Sequence, residues 1–395
     1  MNTIPMPAIS ESTLAVAVER GLLTGEQVQS LRELEVARSG LAETSEEAVP
    51  GGDEPLRLIG GGNDLFVTVG TVLLMSGFLF VLNTVIGGRT LWIAGLVAAF
   101  SWVVAEIVTR QHRMKLSSTV LSLFFMAAMT AVLGLVTIER YPIREPGNIW
   151  QLLALRQIVG PAGYLFLGGV IAAALVYFWR FRVPILAGVI AIAATLLAFL
   201  QTALILYDGM TTGAVAVPQL EDVPELMRAA LYMPLICGLV VFAVAVALDL
   251  HDRERRTVWS DCAFWLHVVS APMLVHPLFM MATGQDVVLG HIEPDANATV
   301  LLVLLIVSFV YVALAIDRRS LLVPTLAYFG SLGIYYLVNS AANTTGVPPF
   351  ALILLVVGAL IITFGAGWQH IRRLIIRPTL PTSVLNKLPP IKVQA

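Results

Sequence analysis

From Leu65 to Gly367 the chain alternates long apolar stretches with short polar breaks. A bilayer core needs about 20 residues of apolar helix. Stretches of that order fall at 65–86, 91–109, 116–138, 158–179, 183–206, 229–249, 259–281, 299–316, 320–340 and 347–367. Backbone N–H and C=O groups have no water to bond in hydrocarbon, so each stretch predicts a helix. The expected fold class is an all-α polytopic integral membrane protein with about ten transmembrane helices.

The pattern before the first span is of another kind. Residues Ser10 to Arg38 read as two short helices. Ser10 or Ser12 caps the first, and Gly21 stands where a helix ends in the left-handed conformation. Thr24 caps the second, and Gln27 three residues on completes a reciprocal capping box. Val28, Leu31, Leu34 and Leu23 form the apolar stripe. About 30 residues bury little core, so this hairpin is expected to dock on a protein partner, a second copy or the membrane face. Ser39–Gly62 follows, with Glu43, Glu46, Glu47, Asp53 and Glu54 and a Gly60–Gly62 run, and reads as a flexible acidic linker. The expected organisation is a cytoplasmic helical hairpin at 1–38, the linker at 39–63, the membrane domain at 64–370 and a basic tail at 371–395.

Gly21-Leu22-Leu23-Thr24-Gly25-Glu26-Gln27, the polar linker, the Gly-rich approach to the first span and Asn83 near its end carry a resemblance. Together they resemble a bacterial family of predicted multi-pass membrane proteins known only as a domain of unknown function. The resemblance covers about the first 90 residues. It implies a membrane protein with a cytoplasmic hairpin and brings no catalytic residue with it.

Charge gives orientation. Of 24 Lys and Arg, 19 fall in the termini and the loops after the second, fourth, sixth and eighth spans. Arg89, Arg140, Arg144, Arg156 and Arg228 fall on the other side. The positive-inside rule makes the first side cytoplasmic, so both termini are expected inside, in a cell inner membrane. Met1–Gly62 lacks a basic start followed by an apolar core, and the first span is expected to act as a retained insertion signal. Composition agrees: 57% of residues are hydrophobic, 13% charged, and mean hydropathy is +0.84. A net charge of −2 argues against a nucleic-acid partner; membrane lipid is the expected surrounding. The segment 149–158, with Trp150 and Arg156, reads as a separate short interfacial helix.

Ionisable groups within spans are costly and are the default functional candidates. The seventh span is richest, with Asp261, His267, Pro272, His276 and Pro277. The two prolines remove backbone donors and are expected to loosen the helix around 268–273. His267 and His276 are nine positions apart, about 180° around a helix, so they converge only if the prolines reorient them. Gln201 and Glu106 complete the candidate polar site, Glu106 also being placed to pair with Arg110 one turn on. Gly95 and Ala99 are spaced for close helix approach. Asp249, His251, Asp252 and Asp261 surround one basic loop, where Arg253, Arg255 and Arg256 disfavour a metal. No zinc-spaced cysteines, His-Glu-x-x-His or Gly-x-Ser-x-Gly motif occurs. No catalytic residue, cofactor or metal is therefore assigned. The expectation is a non-enzymatic membrane protein with an N-terminal interaction hairpin. Its rival is a transporter or flippase of a small or lipidic solute working through the Pro-bearing seventh span.

Overall fold

A computed structural model of the 395-residue chain describes residues 62–142, 149–217, 219–252, 257–283, 296–322, 349–385 and 388, with Arg20 and a few positions between 24 and 29. The chain separates into two units, Met1–Pro55 and Leu56–Ala395. Residues 323–340 of the span expected at 320–340, together with Leu23, Leu31 and Leu34 of the hairpin, lie outside the described residues.

In the first unit, Thr24 and Gln27 cap one another. The Thr24 N–H donates to Gln27 Oε1 (2.9 Å), and the Gln27 N–H donates to Thr24 Oγ1 (3.3 Å). Val28 follows, nearly buried, its N–H bonded to the Thr24 carbonyl. This reciprocal pair satisfies donors that the start of a helix otherwise leaves open.

The second unit is helical throughout its described residues: α1 Gly62–Val85, α2 Thr90–Ala105, α3 Lys115–Arg140, α4 Ile149–Phe181, α5 Ile185–Thr211, short α6 Val223–Ala230, α7 Tyr232–His251, α8 Val258–Thr283, α9 Ala296–Ile316, α10 Pro349–Thr379 and a last turn, α11 Thr382–Leu385. Seven helices (α1–α5, α7 and α8, α2 extended to Gln111) are long and apolar enough to cross a membrane. α9 and α10 cover the expected eighth and tenth stretches. The outward faces of these helices are apolar, with Phe66, Leu73 and Phe80 of α1 and Ile362 of α10 each more than two-thirds exposed. Contiguous exposed apolar surface of this extent suits lipid and not water. The protein is an all-helical membrane protein.

Helices α1 to α5 share one core, in which Trp102, Phe125, Tyr177 and Phe181 pack with ring centroids 4.6–5.6 Å apart. α8 is the most enclosed helix, 56% buried over its apolar window against 33% or less in the others. It packs on α5, α7 and α9, and so joins the two ends of the bundle. Against α7 the approach is close at Gly238, where a Cβ would stand 2.9 Å from Met273 Cβ and 3.1 Å from the Met273 backbone carbon.

The structure bears on four expectations. The segment 149–158 is not a separate interfacial helix: it is the first part of α4, which runs 33 residues with Pro161 inside it. α10 continues to Thr379, so residues 371–379 of the basic C-terminal segment are helical. Neither proline interrupts α8, which is helical from Val258 to Thr283. Gly95 and Ala99 are exposed, and nothing lies within 4 Å of a Cβ built on Gly95. The turn after α1 does need glycine. Gly88 has φ +83°, and a Cβ on Gly87 would meet the Asn83 carbonyl at 2.7 Å.

Candidate functional site

Asp249 lies near the C-terminal end of α7, the end where a helix dipole disfavours negative charge. It is buried, and two elements compensate it. Arg318, just past the end of α9, donates from Nε to Asp249 Oδ2 (2.9 Å) and from Nη2 to Oδ1. His267, from the middle of α8, places Nε2 3.0 Å from Asp249 Oδ2. A carboxylate so held is an acceptor, so Nε2–H is the donor. The same Arg318 Nη2 reaches the Ser260 carbonyl (3.1 Å) and hydroxyl (3.3 Å) on α8. Asp249, His267, Arg318 and Ser260 are each less than a tenth exposed. The Phe242 ring meets the His267 imidazole edge-on at 5.4 Å. An ion pair this enclosed is retained only where hydrogen bonds fill its remaining valences, and here the fork of Arg318 and the imidazole do so.

The residue before Arg318 turns the other way. Asp317 has φ +56°, and the Arg318 N–H bonds back to the Ala313 carbonyl (2.9 Å), a left-handed helix ending. Asp317 Oδ1 accepts from Trp368 Nε1 (2.7 Å), and Arg372 Nη1 stands 3.6 Å from Oδ2. Arg372, fully buried on α10, also donates to the Leu314 (2.9 Å) and Ala315 (3.4 Å) carbonyls. It thus caps the end of α9 with a guanidinium. Two adjacent residues at one turn therefore tie α9 to α7 and α8 on one side and to α10 on the other.

A related pair joins the first helices. Glu106 opens a π-helical turn, Glu106–Gln111, at the end of α2. It accepts from Arg180 of α4 (2.7 Å) and from Arg110 (3.4 Å). In each of the three pairs an acid at a helix C-terminal end meets an arginine from the same end of a later helix: Glu106–Arg180, Asp249–Arg318 and Asp317–Arg372. Asp64, at the start of α1, works differently. Its carboxylate accepts the N–H groups of Lys115, Leu116 and Ser117 (2.9–3.1 Å) and the Ser117 hydroxyl (2.8 Å), capping α3 from another helix.

The candidate polar residues are not gathered in one place. His267 is in the buried cluster, whereas His276 is exposed on the same helix. Asp261 is half-buried in the first turn of α8. Gln201 is exposed on α5 and bonded to the Tyr164 hydroxyl of α4, and Glu106 belongs to the α2–α4 pair. Among the described residues no three His, Cys, Asp or Glu side chains are grouped to hold a metal. His251 is exposed and Asp252 accepts from the Thr257 N–H and hydroxyl (2.7 and 2.6 Å). Cys237 and Cys262 are free thiols.

Sequence reading passed over Asp64, Arg318 and Arg372 as site residues. An acid placed at a helix C-terminal end, against its dipole, was the signal for Arg318 and Arg372. No family model matches this chain, and no curated protein or solved structure matches it.

Proposed function

We propose that the protein is a ten-span inner-membrane protein with both termini cytoplasmic, that it catalyses no reaction, and that its N-terminal unit is an interaction module. The observation that carries this reading is the reciprocal Thr24–Gln27 cap in a unit separate from the membrane helices. A capped helix too small to bury its own apolar stripe gains by docking. The asymmetry of the basic residues supports the orientation. Deleting Met1–Gly62 should change the oligomeric state or remove co-purifying protein, with the membrane domain still expressed. An unchanged assembly on both counts overturns the interaction module.

A second reading, transport of a small or lipidic solute, is favoured by one observation. An ionisable Asp249–His267–Arg318 cluster is buried on the helix that joins the two ends of the bundle. Such groups in a membrane protein are functional by default. On this reading His267→Ala abolishes solute flux in reconstituted vesicles at unchanged expression, while exposed His276→Ala does not. Full flux in His267→Ala removes the cluster from any transport mechanism.

A further inference from the structure

The sequence after Asp317 holds no aspartate or glutamate to its end, while it carries seven Lys and Arg. Three of those arginines lie on the last turns of α10, a helix of 31 residues. At 1.5 Å per residue it is about 46 Å long against a hydrocarbon core of about 30 Å. The C-terminal turns thus reach past the core into the headgroup layer.

Those turns have two faces. Trp368, Arg372 and Ile376 are buried against the end of α9, which fixes the rotation of the helix. At about 100° per residue, His370, Arg373, Leu374 and Arg377 share an arc on the opposite side. His370 and Arg377 are exposed, Arg373 is partly exposed, and Leu374 is 69% exposed. A basic arc edged by one long, exposed apolar side chain matches a surface of phosphate groups above acyl chains. Soluble acidic protein would give Leu374 no apolar layer to enter.

We propose that this face of α10 is a binding site for anionic phospholipid, with Arg373 and Arg377 meeting the headgroup phosphate and Leu374 entering the acyl boundary. The proposal rests on the ten-span reading, which puts the end of α10 at the inner surface.

The test uses the full-length protein in mild detergent, titrated with phosphatidylglycerol or with phosphatidylcholine of the same acyl chains, and reads the thermal midpoint. Phosphatidylglycerol should raise the midpoint of the wild type well above the value in phosphatidylcholine. Arg373→Gln/Arg377→Gln should lose at least half of that difference while matching wild type in phosphatidylcholine. Arg377→Gln alone, at an exposed position, should lose a smaller part and keeps the test open if the double variant folds poorly. An equal response to both lipids, an undiminished difference in both variants, or the same gain from inorganic phosphate alone overturns the lipid site. Labelling from outside the cell of Thr382→Cys, in a chain with Cys237→Ala and Cys262→Ala, would overturn the orientation instead, whatever the lipids do.

Discussion

Arg318 donates from Nε and Nη2 to one buried carboxylate and from Nη2 to Ser260 of a second helix, and this makes it the residue whose loss should cost most. Truncating one member of a buried pair leaves the other charged, enclosed and unpaired, at about 3–5 kcal/mol. Arg318→Met should therefore lower the unfolding midpoint sharply, because Asp249 keeps only His267. Asp249→Leu/Arg318→Met removes both charges and should recover most of the loss, since apolar replacement of a whole buried pair is often neutral. Thermal unfolding of the three proteins in one detergent checks this; a double variant no better than the single would show that the pair is not the source of the stability. His267 stood out in the sequence because a histidine amid apolar residues is costly. The pairing did not, because Asp249 is 18 positions from His267 and 69 from Arg318, and Asp249 and Arg318 each read as ordinary end-of-span residues. Pairing of His267 with His276, weighed from their shared helix, fails for the reason their spacing gave: α8 stays helical through both prolines and leaves the two imidazoles on opposite sides.

At the level of elements, helix ends carry the specificity. Asp64 satisfies three donors of α3 from a residue about 50 positions away. Asp64→Ala should cost about 0.5–2 kcal/mol, the range for a lost N-cap. Amide exchange should quicken at Lys115, Leu116 and Ser117 but not in the distal half of α3; uniform quickening would mean that the whole helix had loosened. Packing between helices makes an opposite pair of predictions. Gly238→Val forces a side chain into the backbone of α8 beside Pro272 and should cost about 1–3 kcal/mol, as overpacking does. Gly95→Ala adds a Cβ that meets nothing within 4 Å and should not lower the midpoint. The apolar pattern located these helices to within a few residues, and Thr24 with Gln27 announced a helix start. It did not reveal which small residues face a neighbour. Gly95 and Gly238 look alike in sequence, and only the rotation of each helix about its axis separates them. That rotation is set by contacts distant in the chain. The continuation of α4 back to Ile149 and of α10 on to Thr379 escaped the pattern because polar and basic residues end an apolar window without ending a helix.

For the whole molecule, the recurrence of an acid answered by an arginine from a later helix ties the bundle together along the face that holds the basic loops. If that face is cytoplasmic, Val217→Cys in the exposed segment after α5 should react with a membrane-impermeant thiol reagent on intact cells. A cysteine on the Arg113 turn after α2 should react only once the membrane is opened. The reverse pattern would invert the assignment of every charge discussed above. The order of these pairs along the chain also has a consequence in time. Asp249 leaves the ribosome 69 residues ahead of Arg318, and at about 5–20 residues per second that is an interval of roughly 3–14 s. During it α7 and α8 exist with their acid uncompensated on the arginine side. The α7–α8 hairpin is then a waiting intermediate, open to quality-control proteases until the turn after α9 is synthesised, and a chain stopped after Thr283 should be degraded faster than one stopped after Leu322.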